Sequence, residues 1–142
     1  MTALPSPALQ PTERRRDGNA EAQRQAAIVE YVRYVAPQVV VFHVPNGGLR
    51  SKSEAARLKW QGVLAGVFDL VLVLAEGRCA FWEVKTPAGR ISPAQHAFID
   101  QLDRRGHSWA LVRSIDDARR ELAALGIETR EAIPLDQNGV IQ

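Results

Sequence analysis

Cysteine is all but absent: Cys79 stands alone among 142 residues, so neither an internal disulfide nor a multi-cysteine metal site can form. Zinc fingers and disulfide scaffolds are excluded, and a reducing compartment is the natural setting. No apolar run approaches the roughly 20 residues that a membrane span requires. Met1-Thr2-Ala3-Leu4-Pro5 lacks the basic start and apolar stretch of a secretory signal. The expectation is a cytoplasmic protein with no membrane partner. Nor does one charge sign dominate: 18 Lys+Arg face 16 Asp+Glu, which permits a polyanionic partner without demanding one. Gly47-Gly48 is not followed by Lys-Ser/Thr, so a phosphate-cradling Walker loop is missing. No Ser/His/Asp grouping is legible around His43, His96 or His107, and these read as structural or surface residues. What is present is 46% apolar and 24% charged residues, the balance of one soluble domain. A chain of this length buries about 70% of its unfolded surface and needs no staple.

Residues 1–18 hold three of the eight prolines and the cluster Arg14-Arg15-Arg16, with little apolar periodicity, and read as a flexible basic arm able to touch phosphates. The folded domain is expected over 19–126, opening with Asn19 as helix N-cap and a helix to about Val35, before Pro37. Val39 to Val44 is a β-branched run closed by Pro45-Asn46-Gly47-Gly48, hence strand then loop. Ser51-Lys52-Ser53-Glu54 has capping-box spacing for a short helix over Glu54 to Gln61, stopped by Gly62. Val67–Ala75 and Cys79–Lys85 flank Glu76-Gly77-Arg78 and predict an antiparallel hairpin. Ser92-Pro93 opens a helix that Gly106 ends, His107–Val112 is a strand, and Ser114 opens a last helix that stops near Gly126. The order α, β, short α, β, β, α, β, α describes an α/β fold with a small mixed sheet flanked by helices. Residues 127–142 read as a tail or a strap on a partner subunit.

Ionised carboxylates on apolar strands are costly unless a cation or hydrogen bonds compensate them. Asp69 lies in Val67-Phe68-Asp69-Leu70-Val71-Leu72-Val73-Leu74, and Glu83 and Lys85 lie in Ala80-Phe81-Trp82-Glu83-Val84-Lys85. Strand alternation puts Glu83, Lys85 and Phe81 on one face. A loop of Glu76, Gly77 and Arg78 would pair Asp69 with Lys85 and leave Glu83 one diagonal step away, about 7–8 Å between Cα atoms, close enough for two carboxylates to share an ion. A fourth candidate comes from the first helix, where Glu21, Gln25, Ile28, Val32 and Val35 form one stripe, while Glu30 points about 180° away at roughly 100° per residue. Glu21 also suits the helix dipole, and Gln95 has capping-box spacing from Ser92.

Hard oxygen ligands without histidine or cysteine suit Mg²⁺ or Mn²⁺, so Asp69, Glu83 and the Val84 carbonyl form a candidate divalent site, with Glu21 holding a second ion or positioning its water. Such a site suits phosphodiesters, with Lys85 orienting the nucleophile or neutralising charge on phosphate. Arg50, Lys52, Arg57, Lys59 and Arg90 are candidate contacts to a nucleic-acid backbone, or solvated surface charges.

Asp69 followed by Glu83-Val84-Lys85 resembles the PD-(D/E)XK nuclease signature. The wider run is similar to its VRR-NUC branch: His43-Val44-Pro45-Asn46-Gly47-Gly48, Leu58-Lys59 with Gly62, Gly66-Val67-Phe68-Asp69-Leu70, Glu83-Val84-Lys85-Thr86-Pro87, and Ser92 with Gln95, Phe98, Leu102 and Gly106. The match covers about residues 20–120, as in the stand-alone phage and bacterial form. The resemblance implies a restriction-endonuclease-like core. It also implies a site in which Glu21, with Gln25 following, completes Asp69, Glu83, Lys85 and the motif glutamine Gln95. It further implies a Mg²⁺- or Mn²⁺-dependent homodimer that cuts branched DNA, notably four-way (Holliday) junctions. Phe68 departs from the pattern, which has proline before the aspartate; proline there shapes the strand and binds no metal. The alternatives are a DNA-binding module of this fold without cleavage, and a non-enzymatic interaction subunit whose acidic cluster only pairs with Lys85.

Overall fold

The computed structural model describes residues 11–46 and 50–131. Over these it gives α1 (Pro11–Val35), β1 (Val40–His43), α2 (Lys52–Trp60), β2 (Leu70–Val73), β3 (Cys79–Val84), α3 (Pro93–Arg104), β4 (Ser108–Val112) and α4 (Ile115–Ala124). The strands form one sheet in the order β1-β2-β3-β4, antiparallel except for the parallel β3–β4 pair. This is the mixed α/β sheet expected, with α3 as the crossover that a parallel pair requires.

Period-two alternation divides the sheet into two unlike faces. On one, Val41, Leu70, Leu72, Ala80, Trp82, Val84, Ala110 and Val112 meet Ile28, Val32 and Val35 of α1 and Ala118 and Leu122 of α4 in the main core. The helical stripe read from the sequence is therefore the buried one, and Glu30 is exposed. On the other face α3 packs through Phe98, whose ring meets Phe81 edge-on at 5.8 Å and Phe68 at 5.4 Å. Phe68 also contacts Trp109 and is fully buried. The departure from proline thus has a packing reason: the phenyl ring fills the space between the sheet and α3, where aromatic edge-to-face pairs add to the burial itself.

Three expectations are corrected. First, α1 starts at Pro11, so Asn19 is inside the helix rather than its cap, and residues 11–18 are helical rather than an irregular arm. Proline is compatible with a first helical turn, Glu13 to Arg16 favour helix, and Gly18 costs only about 1 kcal/mol, too little to stop it. The rest of the expected arm, residues 1–10, lies outside the described residues, as do Gly47 and Gly48 of the loop after β1.

Second, the hairpin turns one residue earlier than expected. Val73 pairs with Cys79, Leu74 N–H donates to the Arg78 carbonyl at 2.9 Å, and the loop is Ala75-Glu76-Gly77. Glu76 and Gly77 both take left-handed backbone, φ +62° and +72°, which completes the reversal before Arg78 and returns that residue to the ladder. Third, the start of the expected tail belongs to the fold. Arg130 N–H donates to the Val35 carbonyl at 2.7 Å, Ile127 packs on the core, and Glu131 pairs with Arg119. Residues 132–142 lie outside the described residues. The capping of α2 is half formed: Glu54 N–H donates to the Ser51 hydroxyl, one residue arrangement of the pair expected.

Candidate active site

The turn correction changes who faces whom. With Leu70 opposite Trp82, the next step along the hairpin sets Asp69 opposite Glu83 rather than Lys85. The β2–β3 ladder ends here, and buried backbone N–H groups need partners. Each strand's carboxylate supplies one: Asp69 N–H donates to Glu83 Oε2 at 3.2 Å, and Val84 N–H donates to Asp69 Oδ2 at 3.0 Å. The two acids are thereby locked side by side by the backbone that carries them.

Two further side chains converge on Glu83 Oε1. Gln95 Nε2 donates to it at 2.6 Å, and the Lys85 ammonium stands 3.4 Å away. Gln95 forms the expected capping box and also reaches Glu83. Its Oε1 accepts from Ser92 N–H at 3.0 Å while its own N–H donates to Ser92 Oγ at 3.2 Å, a complete capping box. The helix start that the capping box fixes therefore also aims the amide at Glu83. Gly66 sets the distance between α3 and β2. Its φ is +84°, and a Cβ there would come within 2.2 Å of the Ala94 carbonyl oxygen.

Glu83 is 4% exposed and is the buried charged residue among those described. Burial first, and then the charge of Asp69, push its carboxyl up to about 7, against the opposing pull of Lys85. Burial likewise raises Asp69, opposed by the Val84 N–H, His43 and Lys85. Two acids held together and reluctant to ionise together are a site short of positive charge.

Several positioning groups have no role assigned to them by the sequence. His43 Nδ1 lies 2.8 Å from the Asp69 carbonyl, which also accepts from Val44 N–H, so β1 braces the residue that the site uses. Arg113, just past β4, donates to the carbonyls of Thr86 at 2.6 Å and Gly89 at 2.9 Å. It clamps the turn after Lys85, whose methylenes lie beside Gly89. Arg24 of α1 in turn donates to the Arg113 carbonyl. An arginine at a strand end ordinarily reads as solvated, and only the tertiary fold shows what these two reach.

Other expected residues are not gathered into the cluster. Glu21 is half-buried on α1, one turn before Arg24, and among the described residues no group of three or more His, Cys, Asp or Glu side chains is arranged to hold a metal. Glu21 thus does not close on Asp69 and Glu83 here. Arg50, Lys52, Arg57, Lys59 and Arg90 are all exposed, the first four on or beside α2. Arg50 donates to the Pro45 carbonyl. No helix among the described residues is long and apolar enough to cross a membrane.

A small mixed sheet flanked by helices, with an aspartate set against Glu-x-Lys on the neighbouring strand, defines the PD-(D/E)XK class. Within it, the family model of the VRR-NUC domain matches residues 19–116, and the chain belongs to that nuclease-like family. A solved structure described as a VRR_NUC domain protein is similar in fold, with a TM-score of 0.57 and 22% identity over 73% of this chain and 85% of that one. Another, described as a VRR_NUC domain, aligns with a TM-score of 0.47 and 17% identity over 75% of this chain and 94% of that one. No curated protein sequence matches.

Proposed function

We propose that the chain is a divalent-metal-dependent DNA endonuclease that hydrolyses phosphodiester bonds, with Asp69, Glu83, Lys85 and Gln95 as its working residues and branched DNA as its substrate. The observation that carries this reading is the backbone-locked Asp69–Glu83 pair, whose raised pKa values mark a deficit of positive charge. Hard carboxylate oxygens fit Mg²⁺ or Mn²⁺. Asp69 and Glu83 would hold the ion, with the Val84 carbonyl as a further oxygen donor and Glu21 as an outlying carboxylate. When bound, such an ion polarises the scissile phosphate and lowers the pKa of water.

The protein's own groups have distinct tasks in this account. Lys85 places its ammonium beside Glu83, where it neutralises charge that develops on phosphate or orients the attacking water. Gln95 fixes the Glu83 carboxylate through one oxygen and leaves the carboxylate an acceptor. Arg113 keeps the turn after Lys85 in place.

Selectivity for four-way junctions and action as a homodimer rest on the family resemblance. Self-association is supported by Val40, Phe42 and Val73, apolar side chains left exposed on the α3 side of β1 and β2, since uncovered apolar surface favours association. The test is cleavage of labelled linear duplex, single strand, flap and four-way junction with Mg²⁺, Mn²⁺ or chelator. Metal-dependent cutting that ranks the branched DNAs, flap and four-way junction, above linear duplex and single strand is the expected result. Binding without products in either metal would leave a DNA-binding module, and neither binding nor cutting would leave an interaction subunit.

A further inference from the structure

Helix α2 is an anomaly of the fold. None of its residues is buried, and it ends on Trp60, which is 84% exposed. Of the three tryptophans, Trp82 is in the core and Trp109 is half-buried. A solvated indole forgoes the largest apolar burial available to any side chain, so Trp60 is not explained by folding.

Its neighbours indicate what it meets. The helix carries Lys52, Arg57 and Lys59 against the single acid Glu54, with Arg50 just before it. Two-fold packing of this face on its own copy would oppose like charges with one acid per chain to offset them, whereas a phosphate backbone complements them. The placement also fits. The chain leading into α2 leaves β1 at His43 and Val44, which hold the Asp69 carbonyl. The chain leading out passes Gly66, wedged against Ala94 and Gln95, and Asn46 clips the two connections together through the Leu64 carbonyl at 2.6 Å. Trp60 precedes Asp69 by nine residues, so the two lie within about 30 Å, less than one turn of duplex.

We propose that α2 reads unpaired bases. The Trp60 indole stacks on an exposed base while Lys52, Arg57 and Lys59 hold the flanking phosphates, so branched DNA that carries unpaired nucleotides within one turn of the Asp69–Glu83 site gains a hold that linear duplex lacks. Stacking on an aromatic side chain tolerates any base, because every base has a π-face. The proposal rests on the nuclease reading above, and deepens it.

The test measures affinity of the full chain in chelator, free of cleavage, for a duplex and for the same duplex with a single-stranded flap, using wild type, Trp60→Ala and Trp60→Tyr. Trp60→Ala is expected to weaken flap binding by about tenfold and duplex binding by less than about threefold, with Trp60→Tyr recovering most of the loss. Flap DNA should quench the tryptophan emission of wild type and leave that of Trp60→Ala largely unchanged. Equal losses on both DNAs, or none, would overturn the proposal. So would a Trp60→Ala protein that melts well below wild type, or one that turns a wild-type dimer into monomer, since the indole would then serve packing or a second copy. A wild type that cuts DNA without this discrimination sinks only the role of Trp60. One that discriminates yet never cuts in any metal sinks only the nuclease reading, and one that binds no DNA sinks both.

Discussion

Replacing Glu83 by glutamine should alter how stability depends on pH. Glu83 is raised from 4.5 to about 7, by burial first and the Asp69 charge second. The folded state therefore binds more protons than the unfolded chain across that interval. For a carboxylate raised on folding, the favourable contribution is complete below about pH 4.5 and is lost as pH rises through about 7. Between pH 5.5 and 8.5 this amounts to about 2 kcal/mol. For a domain of this size that is a fall in melting temperature of roughly 6–10 °C. The assay is thermal unfolding of metal-free protein at a series of pH values, wild type beside Glu83→Gln. Only the difference between the two slopes matters, because the amide also forfeits part of the hydrogen bonding to Asp69 N–H and Lys85. The wild type should lose stability toward alkaline pH, the variant should lose about 2 kcal/mol less, and excess Mg²⁺ should restore the wild type at pH 8.5 while leaving the variant little changed. Equal slopes, or a wild type that gains stability as pH rises while the variant does not, would refute the idea that Glu83 is held in a charge-poor site.

Other consequences are local. Gly66→Ala should destabilise the fold by about 3 kcal/mol, part from left-handed backbone and part from the clash with the Ala94 carbonyl, measurable by denaturant unfolding. Arg113→Ala should cost about 2 kcal/mol through its two charge-assisted bonds and slow cleavage, whereas Arg113→Lys, which keeps one donor group, should recover part of the rate. Glu21→Gln, at the outlying carboxylate, should lower cleavage less than Glu83→Ala does, and Glu30→Gln should leave it near wild type, in rate assays at saturating metal; the reverse ranking of Glu21 and Glu30 would show that the helix face carrying the acid was misassigned.

The residues that were legible in advance were those whose chemistry clashes with their surroundings. Asp69 and Glu83 stand out because a carboxylate in an apolar strand needs a partner, and the structure pairs each with a backbone N–H at the end of the ladder. Their pairing was less accessible. A three-residue loop fits Glu76-Gly77-Arg78 or Ala75-Glu76-Gly77 equally well on composition, and only the left-handed backbone of Glu76 and Gly77 decides. The slip moves each residue's partner by two positions, so every side chain keeps its face. This is why Asp69, Glu83 and Lys85 share a face as expected although Asp69 opposes Glu83. The start of α1 was misplaced because Gly18-Asn19 has the composition of a boundary, although the run Glu13 to Arg16 before it favours helix and one glycine costs too little to end it. Arg113 and Arg24 were invisible for a different reason. Their partners are backbone carbonyls far along the chain, and nothing in a side chain's identity reports which carbonyl it will reach.

The central claim is that the Asp69–Glu83–Lys85 cluster cuts DNA. The most direct measurement is the rate at which a labelled four-way junction is cleaved in Mn²⁺ by wild type and by Glu83→Ala, with circular dichroism confirming that both are folded. Wild type should give products that chelator abolishes, and the folded variant should give none. Cleavage by Glu83→Ala at the wild-type rate would contradict the claim.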